Sequence, residues 1–193
     1  MSYVFKFNDM LLINHGSNQK TSYVRYCGDV TALYNSKDEN IGYNIKHECD
    51  CEHQGLFVKP CENLQKIINE KLNKAGFESI TLQGCENIVV GKVLTCVDHP
   101  DSDHLHITTV DVKDEVLQIV CGAKNVKEGI KVVVAKVGAM MFDGTFIAEG
   151  NLRNVKSYGM ICSGYELNME GYQKGQGILI LDDSYEIGSS FLK

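Results

Sequence analysis

The densest group of potential metal ligands is the run His-Glu-Cys-Asp-Cys-Glu-His, which begins at His47 and ends at His53. On an extended strand, alternate side chains share a face, so His47, Cys49, Cys51 and His53 would stand in one row. Because each strand residue advances the chain by roughly 3.3 Å, that row would span about 20 Å. A tetrahedral zinc ion needs its four ligands within about 2.3 Å. We therefore predict no structural metal here, and adventitious metal binding by a polar loop stays open.

A second cluster, His-Pro-Asp-Ser-Asp-His-Leu, places two histidines and two aspartates between His99 and Leu105. Pro100 restricts one backbone dihedral, and short Asp and Ser side chains typically accept hydrogen bonds from the amides of a turn. A calcium loop would also need a glycine and a terminal glutamate at fixed positions, and neither follows here. The pattern favours a turn between two strands over a metal site.

The sequence contains no G-x-S-x-G, H-E-x-x-H or phosphate-binding P-loop pattern. The cysteine and histidine pairs within residues 47–53 have no recognisable nucleophile context. We therefore predict that the protein is not an enzyme and uses no cofactor. An enzyme built on residues 1–84 is the alternative, and it would need a pocket lined by polar groups.

Charge distinguishes one segment from the rest of the chain. The whole chain has 19 basic and 25 acidic side chains, a net charge of −6. Residues 116–165 nevertheless carry six lysines and arginines against three acidic side chains, a local charge of +3. Phosphate groups bind to local positive field rather than to total charge. The segment is a candidate for binding nucleic acid, and an unevenly charged but solvated surface is the alternative.

The elements that would position these residues fall into two parts. Residues 1–47 contain short β-rich runs separated by polar turns, and an amphipathic helical pattern follows between Pro60 and Gly76. This order predicts a small α+β domain over residues 1–82. From Asn87 the pattern is all-β, with five short strands and glycine-rich turns. It predicts an OB-fold β-barrel over residues 87–192 and a fold that is mainly β.

Composition and apolar run length exclude disorder and membrane spans. Hydrophobic residues make up 44% of the chain and charged residues 23%, as in folded soluble proteins. The longest purely apolar run has four residues, whereas a membrane helix needs about 20 and a secretory signal about 7–15. We expect a cytoplasmic protein with no membrane contact and with reduced cysteines. Cys96, Cys121 and Cys162 lie in apolar strand-like runs and are expected to be buried.

Four sequence blocks occur in one order: His99–Leu105, Gln118–Val126, Lys131–Ala139, and Ser-Tyr-Gly-Met-Ile-Cys-Ser at residues 157–163 with Glu-Leu three residues further on. Together they resemble the tRNA-binding domain family. This is the OB-fold module of the phenylalanyl-tRNA synthetase β subunit, of methionyl-tRNA synthetases and of free-standing tRNA-binding proteins. The whole chain is similar to a stand-alone bacterial form, although the likeness of its N-terminal part is weaker.

The blocks depart from the family pattern at four positions. Ser102 and His104 replace the usual alanine and lysine, Lys124 replaces a proline, and Asn154 replaces a glycine. A lysine is thus lost at position 104 and gained at position 124. We expect that the charge facing the RNA has moved accordingly.

The resemblance implies noncatalytic binding of tRNA or another structured RNA, with shape and backbone recognised more than sequence. Basic side chains of the positive segment are the predicted phosphate ligands: Lys124, Lys136, Arg153 and Lys156. Asn125, Ser157 and Ser163 are predicted to supply hydrogen bonds near them. Met160 is predicted to support the end of the barrel by packing, although the family motif places it at the RNA surface.

A dimeric protein-binding or chaperone-like module is the alternative, and a homodimer stays open. Aromatic residues make up only 8% of the chain and tryptophan is absent, which leaves few platforms for stacking bases. If Lys136, Arg153 and Lys156 share one open face, RNA binding is favoured. An apolar patch on that face would favour a protein partner.

The geometry of residues 47–53 yields a first test. Protein purified without a metal column should contain well under one equivalent of zinc, because a straight row of ligands cannot surround one ion. Elemental analysis before and after dialysis against a chelator measures this. Stoichiometric zinc that resists the chelator would contradict the prediction.

Overall fold

The computed structural model describes residues 2–17, 19–47, 53–54, 57–58, 60–83 and 87–191. The chain divides into two units, residues 1–84 and residues 85–193. The central residues of the 47–53 run, Cys49 and Cys51, lie outside the described residues.

The first unit contains one mixed sheet and a helix. Its elements are β1 (Ser2–Phe7), β2 (Met10–Asn14), β3 (Tyr23–Cys27), β4 (Val30–Tyr34), β5 (Asn40–Lys46), β6 (His53–Gln54), β7 (Phe57–Val58), α1 (Glu62–Lys74) and β8 (Leu82–Gln83). The strand order is β3-β4-β5-β2-β1-β7-β6, and β8 runs parallel to β1.

The helix α1 forms as its sequence pattern predicts. Its apolar residues Leu64, Ile68 and Leu72 lie on one face and are buried against the sheet. The Cys61 side chain caps the first turn by accepting the Leu64 N–H at 3.4 Å, and Gly76 (φ +82°) follows the last turn. In the part of the chain that the structure describes, no helix is long and apolar enough to cross a membrane.

The second unit is a nearly closed, barrel-shaped antiparallel sheet. Its strands are β9 (Ile88–Asp98), β10 (His106–Asp111), β11 (Val116–Cys121), β12 (Lys131–Lys136), β13 (Gly150–Leu152), β14 (Val155–Ser157), β15 (Gly159–Ile161) and β16 (Ile180–Leu181). The order is β11-β10-β9-β12-β15; β16 pairs with β12, and β13 pairs with β14. The predicted fold class, mainly β with an OB-type barrel and a small α+β part, is confirmed.

Residues 157–159 close the barrel against β11. The Tyr158 N–H donates to the Gln118 carbonyl at 2.8 Å. The buried Ser157 hydroxyl accepts the Val120 N–H and donates to the Gly159 carbonyl, each at 3.1 Å. Gly159 has φ +147°, and a Cβ there would lie 2.8 Å from the Ala135 carbonyl oxygen. A hydroxyl and a glycine are therefore both required at this junction.

The cysteines of the barrel bear out most of the burial prediction. Cys121 and Cys162 are buried, whereas Cys96 is half-buried. Burial raises the pKa of the Cys121 thiol above its ordinary value, and raises the pKa of the Cys162 thiol well above it. These thiols therefore act as small apolar groups in the barrel core.

His15 forms a half-buried polar link in the first unit. The Asn40 amide nitrogen faces the carbonyl oxygens of Leu33 and Gly42, both at 3.3 Å, so its Oδ1 faces the imidazole. His15 Nε2 therefore donates to Asn40 Oδ1 at 2.8 Å, and Nδ1 accepts the Ser2 hydroxyl at 2.8 Å. Burial lowers the pKa of His15 below its usual value, against the opposing effect of the Asn40 hydrogen bond.

This link predicts a pH-dependent stability of the first unit. The unfolded chain, with an ordinary histidine pKa of 6.5, binds a proton before the folded chain does. The free energy of unfolding should therefore decrease as the pH falls below about 6.5. His15→Gln should reduce this dependence, measured by urea unfolding with the helical circular dichroism signal of α1. His104→Gln, at an exposed imidazole, is the control; an equal reduction in both variants would contradict the prediction.

The closure at Ser157 yields a stability prediction. Ser157→Ala leaves the buried Val120 N–H without its acceptor, so the free energy of unfolding should fall by about 1–3 kcal/mol. Urea unfolding followed by the β-sheet signal measures this. Ser184→Ala, at an exposed position, should change stability much less. Equal stabilities of the two variants would show that the Ser157 hydroxyl does not support the barrel.

Candidate nucleic-acid interface

A cleft of about 800 Å³ opens where β11 ends and the chain leaves the barrel wall. Three segments and the isolated Asp143 line it. The segments are the end of β11 with the loop after it, β15 with the turn that follows, and the glycine-rich loop before β16. Four of the predicted site residues border this cleft, namely Lys124, Asn125, Met160 and Ser163. The structure thus brings together half of the predicted set.

Asn125 builds one wall of the cleft. Its amide nitrogen donates to the Ile178 carbonyl at 2.9 Å, and its Oδ1 accepts the Ile178 N–H at 3.0 Å. A Cβ on Gly177 would lie 2.4 Å from that Oδ1, so glycine permits the close approach. The Ile178 backbone thus occupies the side-chain amide of Asn125, and the predicted contact of Asn125 with RNA stays a prediction.

Ser163 caps the turn that follows β15. Its hydroxyl donates to Glu166 Oε2 at 2.7 Å and accepts the Glu166 N–H at 3.2 Å, while its own N–H also donates to Oε2. This is the reciprocal arrangement of a capping box. The Ser163 hydroxyl therefore shapes the turn, and its predicted hydrogen bond to RNA would compete with Glu166.

Ser157 is also engaged within the protein. Its side chain is only 3% exposed, and the Val120 amide and the Gly159 carbonyl satisfy its hydroxyl. The predicted hydrogen bond from Ser157 to RNA would have to replace these contacts. Met160 is half-buried opposite Ala135 on β12 and reaches the cleft.

The exposed side chains of the cleft combine charge with one aromatic ring. Lys124 and Lys174 are exposed, and no ion pair to either occurs among the described residues. Tyr165 is 51% exposed. The acidic residues Asp143 and Glu166 balance the two lysines formally, but one oxygen of each accepts a backbone N–H. The net formal charge of the cleft is therefore close to zero, and its two lysines form no ion pair within the described residues.

The hairpin β13–β14 carries two further predicted residues. Arg153 (φ +45°) and Asn154 (φ +67°) form its two-residue turn. Two successive positive φ values are typical of a type I′ turn, where asparagine is favoured, so Asn154 suits the position at which the family has glycine. The Arg153 guanidinium donates to the Asp101 carbonyl at 3.0 Å. That contact orients the side chain and leaves other guanidinium donors available.

His99 holds the loop of residues 99–105 against this hairpin. Its Nδ1 accepts the Asp101 N–H at 3.0 Å, so the proton lies on Nε2, which donates to the Leu152 carbonyl at 3.2 Å. The imidazole is 3% exposed. The predicted turn is thus correct, and its first histidine positions the hairpin turn that bears Arg153.

Lys136 and Lys156 have different surroundings. Lys156 is exposed, and its carbonyl accepts the Gln118 side-chain amide at 2.8 Å, which fixes its backbone beside β11. Lys136 forms an ion pair with Glu115 at 2.5 Å, and its side chain is only 27% exposed. The structure therefore places Arg153 and Lys156 on one hairpin, whereas a neighbouring carboxylate already neutralises Lys136.

Sequence reasoning missed Tyr165 and Lys174. The signal for Tyr165 was available, because Ser-Gly-Tyr-Glu at residues 163–166 is a capping-box sequence, and that motif predicts a fixed turn. No comparable pattern singles out Lys174, which lies between glycines at 171 and 175. In the described ranges, no group of three or more histidine, cysteine or acidic side chains could hold a metal ion.

Comparison with known proteins assigns the barrel to a family. Residues 88–190 match the family model described as "Putative tRNA binding domain". The chain is 41% identical over 169 residues to "Putative tRNA-binding protein YtpR" of Bacillus subtilis, which covers 85% of this chain and 84% of that protein. It is 43% identical over 145 residues to the phenylalanine–tRNA ligase β subunit of Porphyromonas gingivalis, covering 72% of this chain but 18% of that subunit.

Among solved structures, the C-terminal domain of Plasmodium vivax p43 aligns with a TM-score of 0.39 and 26% identity over 53% of this chain and 56% of that one. The family assignment rests instead on the two stronger findings. The family model spans the strands of the barrel, and the likeness to YtpR extends over most of both proteins. The chain therefore belongs to the tRNA-binding domain family.

Proposed function

We propose that this protein binds tRNA through its barrel and catalyses no reaction on it. The observation that carries the proposal is the family match over residues 88–190, which includes all eight strands of the second unit. The YtpR likeness supports the same function for a chain of this extent. The ligase β subunits match over less than a fifth of their length, so aminoacylation is not part of the proposal.

The proposed phosphate ligands are the exposed basic side chains whose charge no carboxylate neutralises within the described residues. Lys124, Arg153 and Lys156 are exposed, and neither lysine has an ion-pair partner within the described ranges. Surface lysines and arginines bind phosphate with little desolvation cost and release counterions as they do. Lys136 is a weaker candidate than its sequence position predicts, because binding phosphate would compete with Glu115.

The proposed ligand also sets the proposed location. A protein that binds tRNA meets it in the cytoplasm, so we propose that the chain acts there. The formal charge of −6 on the whole chain repels RNA at long range. That repulsion falls away beyond the Debye length of about 8 Å at physiological salt, which leaves the local contacts to determine affinity.

A protein-binding or homodimeric role is the second candidate, and exposed apolar residues favour it. Val97 and Val116 are 56% and 58% exposed. The strand registers place both on the outer face of β9–β11, separated by polar residues such as Thr109 and Gln118. Two separated valines make a smaller apolar area than specific protein partners usually cover, so RNA remains the first proposal.

Binding of labelled, unfractionated tRNA at several salt concentrations tests the first proposal. Three cations that each neutralise a phosphate should give a slope of log K against log salt of about −2 to −3. The double variant Arg153→Ala/Lys156→Ala should weaken binding and flatten the slope by about one to two, because each removed cation leaves one phosphate without its partner. Lys136→Ala should have a smaller effect than Lys156→Ala.

The control removes the same charge from the first unit. Lys20→Ala/Lys37→Ala changes two exposed lysines there and should leave the slope unchanged. If both double variants weaken binding equally, the loss of affinity comes from the change in net charge, and the proposed phosphate contacts of the hairpin are contradicted. If tRNA does not bind at low salt, the protein-binding candidate replaces this proposal.

A further inference from the structure

We infer that the cleft beside β15 binds one unpaired nucleotide of the RNA, with its base stacked on Tyr165 and its phosphates near Lys124 and Lys174. The inference rests on the proposed function and specifies which part of an RNA the barrel selects. It involves two residues that the sequence did not single out. The ligand class is single-stranded RNA, or a base that has left a helical stack.

Tyr165 carries an aromatic ring that is half exposed on an ordered turn. Its ring is 51% exposed, and no ring contact or hydrogen bond to its side chain occurs among the described residues. The backbone around it is fixed, because the Leu167 N–H donates to the Ser163 carbonyl and the Asn168 N–H donates to the Tyr165 carbonyl, at 3.2 and 3.0 Å. An exposed ring on an ordered backbone suits base stacking.

A second contact fixes the turn from the other side. The Tyr172 ring lies directly against Gly164, where a Cβ would come within 2.2 Å of the ring. The Met169 N–H also donates to the Gly164 carbonyl at 2.9 Å. Because the turn is ordered before binding, little conformational entropy is lost when a base stacks on Tyr165.

The charge and size of the cleft fit a nucleotide rather than a phosphate group alone. Lys124 and Lys174 come from different segments of its lining, and Asp143 and Glu166 cancel their charge formally. A neutral site with an aromatic wall favours the base, and the two free lysines can hold the flanking phosphates. The volume of about 800 Å³ is within the range of about 300–1,000 Å³ for small-molecule pockets.

A paired base cannot use this site. In a duplex, both faces of a base are stacked on neighbouring bases and its edge is hydrogen-bonded. A base reaches an aromatic side chain in a protein cleft only from a single strand, a loop or a splayed position. The cleft therefore discriminates between unpaired and paired RNA without reading sequence.

The test uses the absence of tryptophan from the chain. Tyr165→Trp introduces a single fluorophore at the cleft, and its emission should fall about twofold or more when single-stranded octaadenylate RNA or tRNA is added, because stacking quenches indole. A blunt RNA duplex should leave the emission unchanged. Tyr185→Trp, at an exposed ring in the same unit that does not line the cleft, should show no change with any of these RNAs.

Affinity for octaadenylate provides the second measurement. Tyr165→Ala should weaken it about 5- to 150-fold, the range measured when one base–aromatic stack is removed. Tyr165→Phe keeps the ring and should bind within about twofold of the parent protein. Circular dichroism of each variant confirms that the barrel is folded.

The outcomes separate this inference from the proposed function. If the parent protein binds tRNA with the expected salt dependence, but neither the tryptophan emission nor Tyr165→Ala responds, the cleft inference is overturned and tRNA binding stands. Equal quenching by duplex and single strand would overturn the selection of unpaired RNA. If the parent protein binds octaadenylate but no tRNA, the cleft inference stands and the proposed function fails.

Discussion

The junction at residues 157–159, built around the buried Ser157 hydroxyl, closes the barrel, and the candidate site depends on that closure. The edge of β11 needs an acceptor for the Val120 N–H, and Ser157 supplies it from the end of β14. The next residues pair with β11 and then with β12. Glycine is needed at position 159 because a Cβ there would lie 2.8 Å from the Ala135 carbonyl oxygen. A buried amide without an acceptor is costly, so this junction restricts the path of the chain. The hairpin with Arg153 and Lys156 precedes the junction, and the strand that leads into the cleft follows it.

The need to satisfy backbone polar groups also explains why several residues predicted to contact RNA form hydrogen bonds within the protein. Asn125 and Ser163 have the side chains that RNA-binding surfaces use, but each satisfies backbone groups in loops that lack regular pairing. Loops outside the barrel ladders must find partners for their N–H and C=O groups. Short polar side chains provide them. The side chains left for a ligand are therefore the long ones, lysine and arginine, and the exposed ring of Tyr165.

The basic residues of the barrel fall into two groups, those with partners inside the protein and those without, and their positions in the sequence do not reveal this division. Lys136, Lys113 and Lys131 each contact an acidic side chain or backbone carbonyls within the protein. These contacts tie the C-terminal segment and the barrel rim together and reduce the charge available to RNA. Lys124, Lys156 and Lys174 are the exposed lysines of the candidate surface that keep their charge free of such pairs in the described ranges. A chain with a net charge of −6 can therefore still present local cations to phosphates.

The sequence by itself determined the elements and the family. Three patterns are local: the apolar spacing of α1, the short barrel strands separated by glycine-rich turns, and the turn at Pro100. Each depends only on residues that are close in the chain. The four family blocks likewise lie within short segments. Which polar side chains are engaged within the protein was decided only by the tertiary structure, because their partners are distant. Asn125 meets Ile178, 53 residues away, and Ser157 meets Val120, 37 residues away. Barrel closure and strand register create those pairings, and no periodicity within a single segment specifies them.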